Sequence, residues 1–325
     1  MVISKNCMME IVACTDTHFI MPTGVMMYSV CVNNVDDPIA FHVVIDKRVT
    51  ERQKEDLQKT VQVFPDKSVA FYCVDSANYD KLPKRENHPS ITQATYYRLD
   101  LANILPLDID KVLYLDGDII CRKSLSALWK TDISQYAVAG VPDVSEADFE
   151  IDNHLHLSPW TGYFNAGVLL INLKWWREHS VVEEFYSFID NHSEWIQFQD
   201  QDVLNYVFNE HKLLLPITYN LGAGFLYQGT NCGKHLKEVM ETIKDPAILH
   251  FTTRKPWRTS NRHPFRSTFT KYQSQTIWKD EPLQEDRPLK LRIIKFCSGI
   301  LRKLKLIPEL PPYSKHFLPN LTPLD

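Results

Sequence analysis

Nothing in this chain reads as a disulfide framework, an export leader or a membrane span, and each absence narrows what it can do. Its seven cysteines (Cys7, Cys14, Cys31, Cys73, Cys121, Cys232, Cys297) are odd in number, scattered, and never spaced C-x-x-C. That argues against a stapled secreted scaffold or a zinc ribbon and for a reducing cytosol. The amino-terminus lacks a basic segment followed by a long apolar run; its first hydrophobic stretch, EIVACTD, is strand-length and ends in a charge, so no secretion signal is expected. No stretch approaches the ~20 apolar residues that would span a bilayer. Phosphate-cradling glycine loops are missing as well. GAGFLY (222–227) lacks the third glycine of the dinucleotide fingerprint, and GTNCGKH (229–235) is too short for a P-loop and has no Ser/Thr after its lysine. Any phosphate handled here is handled by other means. Internal repeats and low-complexity segments are also absent.

What is present is a chain of 325 residues, 44% hydrophobic, enough to bury a full core in one large domain or one domain with an appendage. The formal net charge of -4 argues against a nucleic-acid partner, whose footprint is basic. The charge is uneven: from Arg287 onward eight Lys/Arg face only Glu309 and Asp325, leaving the preceding body strongly acidic. Short apolar runs at 10–15, 40–45, 69–74 and 111–116 alternate with helical patterns, the rhythm of βαβ units and of a mostly parallel sheet covered on both faces. Thr50 with Gln53 forms a capping-box pattern that opens a helix to about Val63. A helical piece (124–129), AVAGV (137–141), an acidic loop (143–162) and a buried strand FNAGVLLINL (164–173) follow. The expected class is α/β with a mixed, mostly parallel central sheet, and PELPPY (308–313) predicts an extended finish.

In open α/β sheets ligands sit off the carboxyl ends of strands. There, after KVLYL, stand Asp116 and Asp118 with Gly117 between them. Three D-x-D pairs occur (108/110, 116/118, 200/202), and chance alone supplies roughly two, so spacing decides nothing. Context does. Asp108 and Asp110 precede their strand and read as a solvated turn. Asp116 and Asp118 leave a buried strand together, and two neighbouring carboxylates repel unless a cation or a proton relieves them. A hard divalent ion is the economical answer, and Gly117 leaves room for a ligand to approach the backbone. An EF-hand is excluded because neither Asp108 nor Asp116 starts a loop with Gly at position 6 and Glu at position 12. A haloacid-dehalogenase-like phosphohydrolase would normally carry its aspartate pair near the amino-terminus, with Thr or Val where this chain has Ile120. A metal-bound nucleoside diphosphate sugar is the third use of such a pair.

Four segments in order, KVLYLDGDIIC (111–121), FNAGVLLINLKWWRE (164–178), FQDQDVLN (198–205) and ILHFTTRKPW (248–257), resemble glycosyltransferase family 8, retaining enzymes with the A-type sugar-nucleotide fold. Within it the likeness is closest to the hexosyltransferases of lipopolysaccharide core synthesis, whose carboxyl-terminal extension resembles 278–305. The resemblance implies that Asp116, Asp118 and His250 hold the metal, usually Mn²⁺, with Mg²⁺ as the alternative. A histidine at the end of an apolar strand can complete such an oxygen-rich set. It further implies that Lys255 binds the diphosphate, although this chain has Lys255 five residues after the histidine where the family commonly has Lys six after, and Thr253 where it has Gly. Arg254 is the substitute for that charge.

By the same resemblance, Cys14, Asp16 and Phe19 in CTDTHF belong to the nucleotide-recognising segment, with Asp16 accepting from uracil; unaided, Asp16 reads as a turn cap. Arg98, in the helix of ITQATYYRLDLANIL (91–105), lies near the donor sugar, where residue type alone suggests a surface salt bridge. Asn165 and Ala166 face sugar hydroxyls, Asp200 is a sugar-hydroxyl ligand, and Gln201 is the catalytic candidate near the anomeric carbon. A glutamine amide is a feeble nucleophile, so same-face substitution is expected in place of a covalent double displacement.

Between Arg287 and Lys305 there are seven basic residues and no acidic one, while Leu289, Ile293, Phe296, Cys297, Ile300, Leu301 and Leu304 recur at helical spacing. A basic amphipathic helix of this kind binds membrane surfaces; otherwise it packs on the body. The chain is therefore expected to comprise a catalytic domain (1–265) and a basic amphipathic extension (266–325). The expected activity is metal-dependent transfer of glucose or galactose from a UDP-sugar to a lipid-linked oligosaccharide, peripherally at the inner face of a bacterial cytoplasmic membrane. The alternatives are another glycan or protein acceptor, or the phosphohydrolase.

Overall fold

Strands form where the β-branched runs predicted them: β1 (Met9–Cys14), β2 (Ile39–Asp46), β3 (Lys67–Val74) and β4 (Lys111–Leu115). α1 (Ile20–Asn33) joins the first pair and α2 (Glu51–Gln62) the second. The capping box opens α2 as expected: Gln53 N–H donates to Thr50 Oγ1 at 3.3 Å, and Thr50 N–H to Gln53 Oε1 at 3.0 Å. The segment around Arg98 differs from a plain helix, being a 3-10 stretch over Gln93–Asp100 that runs into the short α3 (Leu101–Ile104). Then come β5 (Ile119–Cys121), α4 (Ser126–Trp129), β6 (Val138–Pro142), α5 (Glu146–Ile151), β7 (Phe164–Asn172), α6 (Leu173–Glu178), α7 (Val181–His192) and α8 (Asp200–Val207). β8 (Lys212–Leu214), β9 (Leu221–Gly222), α9 (Leu236–Thr242), β10 (Ile248–His250), α10 (Arg266–Gln273) and α11 (Leu289–Lys303) complete the chain.

This is a computed structural model, and it describes residues 8–83, 93–261, 263–286, 288–306 and 317–318. Ile91, Thr92, Arg287 and the proline-rich 308–313 with Pro319 and Pro323, all read from the sequence, lie outside the described residues.

Seven strands form the main sheet in the order β3-β2-β1-β4-β7-β6-β8. β7 runs antiparallel to β4 and β6; the other pairings are parallel. β1, β2, β4 and β7 are buried on both faces, which explains runs that are continuously apolar, whereas the edge strand β3 has no fully buried residue. Ile11, Ala13, Leu113 and Leu115 enter one core with α1. Their neighbours Val12, Val112 and Tyr114 enter the other with α7 and α8, as the two-residue period of a strand requires. A second sheet, β5-β10-β9, stands beside the first. In it β10 pairs antiparallel to β5 (His250 opposite Ile119) and parallel to β9 (His250 opposite Gly222).

The elements just past residue 265 pack into this same core: Phe269 and Trp278 are buried, and Tyr272 Oη accepts from Asn33 Nδ2 of α1 at 3.0 Å. Phe317 returns to the body, buried and stacked on Tyr227 with ring centres 4.9 Å apart. α11 differs. Leu289, Ile293, Phe296 and Ile300 are exposed along it, and no helix among the described residues is long and apolar enough to cross a membrane.

Candidate active site

β4 ends at Leu115 in the main sheet, and β5 begins at Ile119 in the small one. Asp116 to Asp118 are therefore the joint between two sheets, held at one side by the Asp116 N–H donating to Gly167 O at 2.9 Å. The pairing of β10 with β5 then brings in His250. Each acid has its two oxygens divided between tasks. Asp116 Oδ1 accepts from Arg98 Nη2 at 2.9 Å and Tyr114 Oη at 2.8 Å, leaving Oδ2 3.5 Å from His250 Nε2. Asp118 Oδ2 pairs with the Lys255 ammonium, leaving Oδ1 3.3 Å from the same nitrogen. Two carboxylate oxygens and one imidazole nitrogen thus converge within 4.8 Å of one another. This hard-oxygen and imidazole set suits a first-row or group 2 divalent cation, so the residues present fit the metal that the sequence implied. Burial would raise the pKa of Asp118, but Lys255 and His250 hold it well below the usual carboxylate range, which keeps the carboxylate ionised.

Thirteen of the residues singled out from the sequence line one cavity of about 410 Å³; Arg254 does not. It lies at the carboxyl ends of β1 and β4 and, because β7 is antiparallel, at the amino end of β7. Arg98 is a buried hub, not a surface salt bridge. Besides Asp116, its Nη1 donates to Ala166 O at 2.5 Å and its Nε lies 3.1 Å from Asp200 Oδ2, with the guanidinium 4.3 Å from the centre of the Tyr114 ring. Burial pushes the Asp200 carboxyl up to about 6; Arg98 opposes the shift and Asp116 adds to it. Burial likewise keeps Cys14 a thiol.

Asp200 and Gln201 open α8, after Gln199, whose φ of 49° lies in the left-handed region. That strain is held by Asp202, fully buried, whose carboxylate accepts from the N–H groups of Gln197 and Phe198 at 2.7 Å each. Gln201 is fixed at both ends of its amide. Oε1 accepts from Ala166 N at 3.0 Å and Asn165 Nδ2 at 3.1 Å, and Nε2 donates to Tyr163 Oη at 3.3 Å and Asp143 Oδ2 at 3.4 Å. A carbonyl oxygen with both lone pairs committed offers a fixed dipole, and is a poor nucleophile for a second reason.

At the β1 side of the cavity, Asp16 is buried and caps its own turn, its Oδ1 accepting from His18 N–H at 2.8 Å. Phe19 packs edge-on against Trp257, ring centres 5.8 Å apart. Gly117 lines the cavity, but a Cβ there would come 2.6 Å from Thr23 Oγ1. Glycine is needed first for α1 to approach this turn. Lys255 is buried, its Nζ also donating to the carbonyls of Phe251 (3.0 Å) and Thr252 (3.3 Å), whereas Arg254 is exposed and is not among the residues lining the cavity.

Four contributors escaped sequence reasoning. Tyr114 and Asp143 supply the hydrogen bonds already given. Gly167 matters because a Cβ there would lie 2.2 Å from His250 Cε1 and 2.8 Å from Asp116 Oδ2. Asn220, buried, accepts from the other ring nitrogen of His250. Gly167 sits in the quoted FNAG motif and was within reach; Asn220 lies in no motif.

Residues 10–261 match the family described as "Glycosyl transferase family 8". Among curated proteins, the chain is 28% identical over 282 residues to general stress protein A of Bacillus subtilis, covering 84% of this chain and 96% of that one. It is 25% identical to a lipopolysaccharide 1,2-glucosyltransferase of Escherichia coli (83% and 79% covered) and 26% identical to the lipopolysaccharide 1,3-galactosyltransferase of Salmonella typhimurium (81% and 77% covered). Among solved structures, the galactosyltransferase LgtC in complex with donor and acceptor sugar analogues superposes with a TM-score of 0.75 at 26% identity, covering 87% of this chain and 99% of LgtC. These likenesses leave the phosphohydrolase alternative without support. An aspartate pair at the joint of two sheets, a histidine from the second sheet and a match spanning residues 10–261 lead to one conclusion: the chain belongs to glycosyltransferase family 8.

Proposed function

We propose that this protein is a metal-dependent retaining hexosyltransferase that moves glucose or galactose from a UDP-sugar to the core oligosaccharide of a lipopolysaccharide or lipooligosaccharide. The observation that carries the reading is the convergence of Asp116 Oδ2, Asp118 Oδ1 and His250 Nε2 beside a buried lysine. Similarity to lipopolysaccharide glucosyl- and galactosyltransferases supports the donor and acceptor class. Bound by that trio, Mn²⁺ or Mg²⁺ would supply positive charge to a diphosphate leaving group.

The chain's own groups do the rest. Asp16 receives a uracil N–H, and Lys255, released from Asp118, follows the departing diphosphate. Arg98 holds Asp116 and Asp200 in register, so that Asp200 can accept from a donor-sugar hydroxyl while Gln201 and Asn165 present fixed dipoles to the reacting carbon. The bond from the anomeric carbon to phosphate breaks, the acceptor oxygen bonds that carbon from the same face, and its proton passes to the phosphate oxygen. Electrostatic preorganisation is then the main catalytic term.

α11 is proposed as the membrane contact. Its exposed Leu289, Ile293, Phe296 and Ile300 are interleaved with Lys290, Arg292, Lys295 and Arg302, and each basic group near anionic lipid contributes about 1 kcal/mol. On this reading the enzyme works peripherally at the inner face of a bacterial cytoplasmic membrane, on a lipid-linked acceptor.

The test is a donor screen measuring UDP release from each UDP-sugar with and without Mn²⁺. Release from UDP-glucose or UDP-galactose that needs the ion is expected. Release indifferent to Mn²⁺, or confined to other donors, would remove the reading.

A further inference from the structure

Asn220 joins the two halves of the site, and its orientation follows from chemistry alone. The backbone N–H of Gly167 can only donate, and it reaches Asn165 Oδ1 at 3.0 Å. The Asp143 carboxylate accepts, and it meets Asn165 Nδ2 at 2.9 Å. Both neighbours fix the Asn165 amide the same way round. Asn220 approaches that same Asn165 oxygen at 2.9 Å, so it presents Nδ2 there and must turn Oδ1 towards His250 Nδ1, 2.9 Å away. An acceptor facing Nδ1 makes that nitrogen the N–H and leaves the Nε2 lone pair to face Asp116 Oδ2 and Asp118 Oδ1. Asn220 is only 2% exposed.

We propose that Asn220 is a positioning residue that fixes His250 in its metal-binding tautomer and, through Asn165, ties the metal trio to the amide of Gln201. The inference rests on the reading above that the trio holds a divalent cation. Asn165 Nδ2 lies 3.1 Å from Gln201 Oε1, so the chain His250, Asn220, Asn165, Gln201 is continuous. Outer-shell partners of this kind are worth 10–100-fold in metal affinity.

The full-length protein with UDP is titrated with Mn²⁺, free ion being read by electron paramagnetic resonance. Asn220→Leu, which keeps volume and removes both bonds, is expected to weaken Mn²⁺ binding about 10–100-fold. Asn220→Asp keeps the acceptor for Nδ1 but loses the donor to Asn165. It should hold Mn²⁺ within about threefold of wild type while kcat falls about tenfold or more. Loss of affinity to the same degree in both variants would show a packing role and overturn the proposal; so would unchanged affinity in a folded Asn220→Leu protein. A second measurement needs no variant at position 220. In ¹⁵N-histidine-labelled protein with Mg²⁺ and UDP, the His250 resonances, found by comparison with His250→Gln, should show the proton on Nδ1; a proton on Nε2 overturns the proposal. Wild type that captures neither ion in the presence of UDP would remove this inference together with the reading beneath it.

Discussion

The two oxygens of Asp116 face different partners, one a buried guanidinium and a phenol, the other an imidazole. A sequence motif cannot express that division, yet it determines how many ligand atoms remain for a cation. Room for the His250 ring depends on Gly167. Gly167→Ala would drive a methyl group into the His250 ring, and overpacking of this sort costs about 1–3 kcal/mol. Mn²⁺ affinity measured by calorimetry should drop at least tenfold, with only a modest loss in melting temperature. Asp200 supports a pH prediction. Its carboxyl rises from 3.8 to about 6 on burial. Below the lower value, folded and unfolded chains both hold the proton. Between the two the unfolded chain releases it first, so stability falls as pH rises and stays lower above 6. Asp200→Asn removes that loss, so the melting temperature of the variant relative to wild type should climb between pH 4 and pH 7. A gap independent of pH would contradict the assignment. The carboxylate pair was legible because strand-end context set it apart from two other D-x-D pairs. Asn220 was not, because it precedes a strand of only two residues and gains its role through a partner 30 positions away.

Among the strands, the long ones were readable and those of three residues or fewer were not. β1, β2, β4 and β7 are buried on both sides, so their apolar runs are unbroken; their limits, and those of the edge strand β3, fall within about two residues of the pattern. β5, β9 and β10 have three residues or fewer, too few for any period, and they exist because they pair with one another. The helical reading near Arg98 became mostly 3-10 because the segment turns its guanidinium and two tyrosines, Tyr96 and Tyr97, inward instead of presenting one apolar stripe. The contact of α8 with β7 shows what such placement costs. Asn205, fully buried, accepts from Phe164 N–H at 2.8 Å and donates to the carbonyls of Phe164 (2.8 Å) and Gln201 (2.9 Å). Asn205→Leu strands two buried backbone groups, the N–H and C=O of Phe164, at up to about 1–3 kcal/mol each. Urea melts should show a loss of about 3 kcal/mol, with UDP release falling more than the folded fraction.

Across the whole molecule, an acidic body carries a basic tail. The extension is anchored at both ends, by Trp278 and by Phe317 in the body's core, while α11 between them leaves its apolar residues in solvent. Truncation at Arg287 would therefore also strip Phe317 from Tyr227, so substitution within α11 is the cleaner probe. Replacing Ile293 and Phe296, 54% and 71% exposed, by glutamate should abolish co-sedimentation with anionic phosphatidylglycerol vesicles and leave UDP release from soluble donor unchanged. Co-sedimentation equal to wild type would remove α11 as the membrane contact.

The sequence by itself determined the sheet-forming runs, the α/β class and the aspartate pair, because burial on both faces and charge at a strand end are written locally in residue type. Only the tertiary structure decided which oxygen of each aspartate stays available, which ring nitrogen of His250 turns inward and where Lys255 rests. Those depend on side chains from two sheets meeting at distances of about 3 Å, and a linear order of residues does not encode which groups a fold will bring that close.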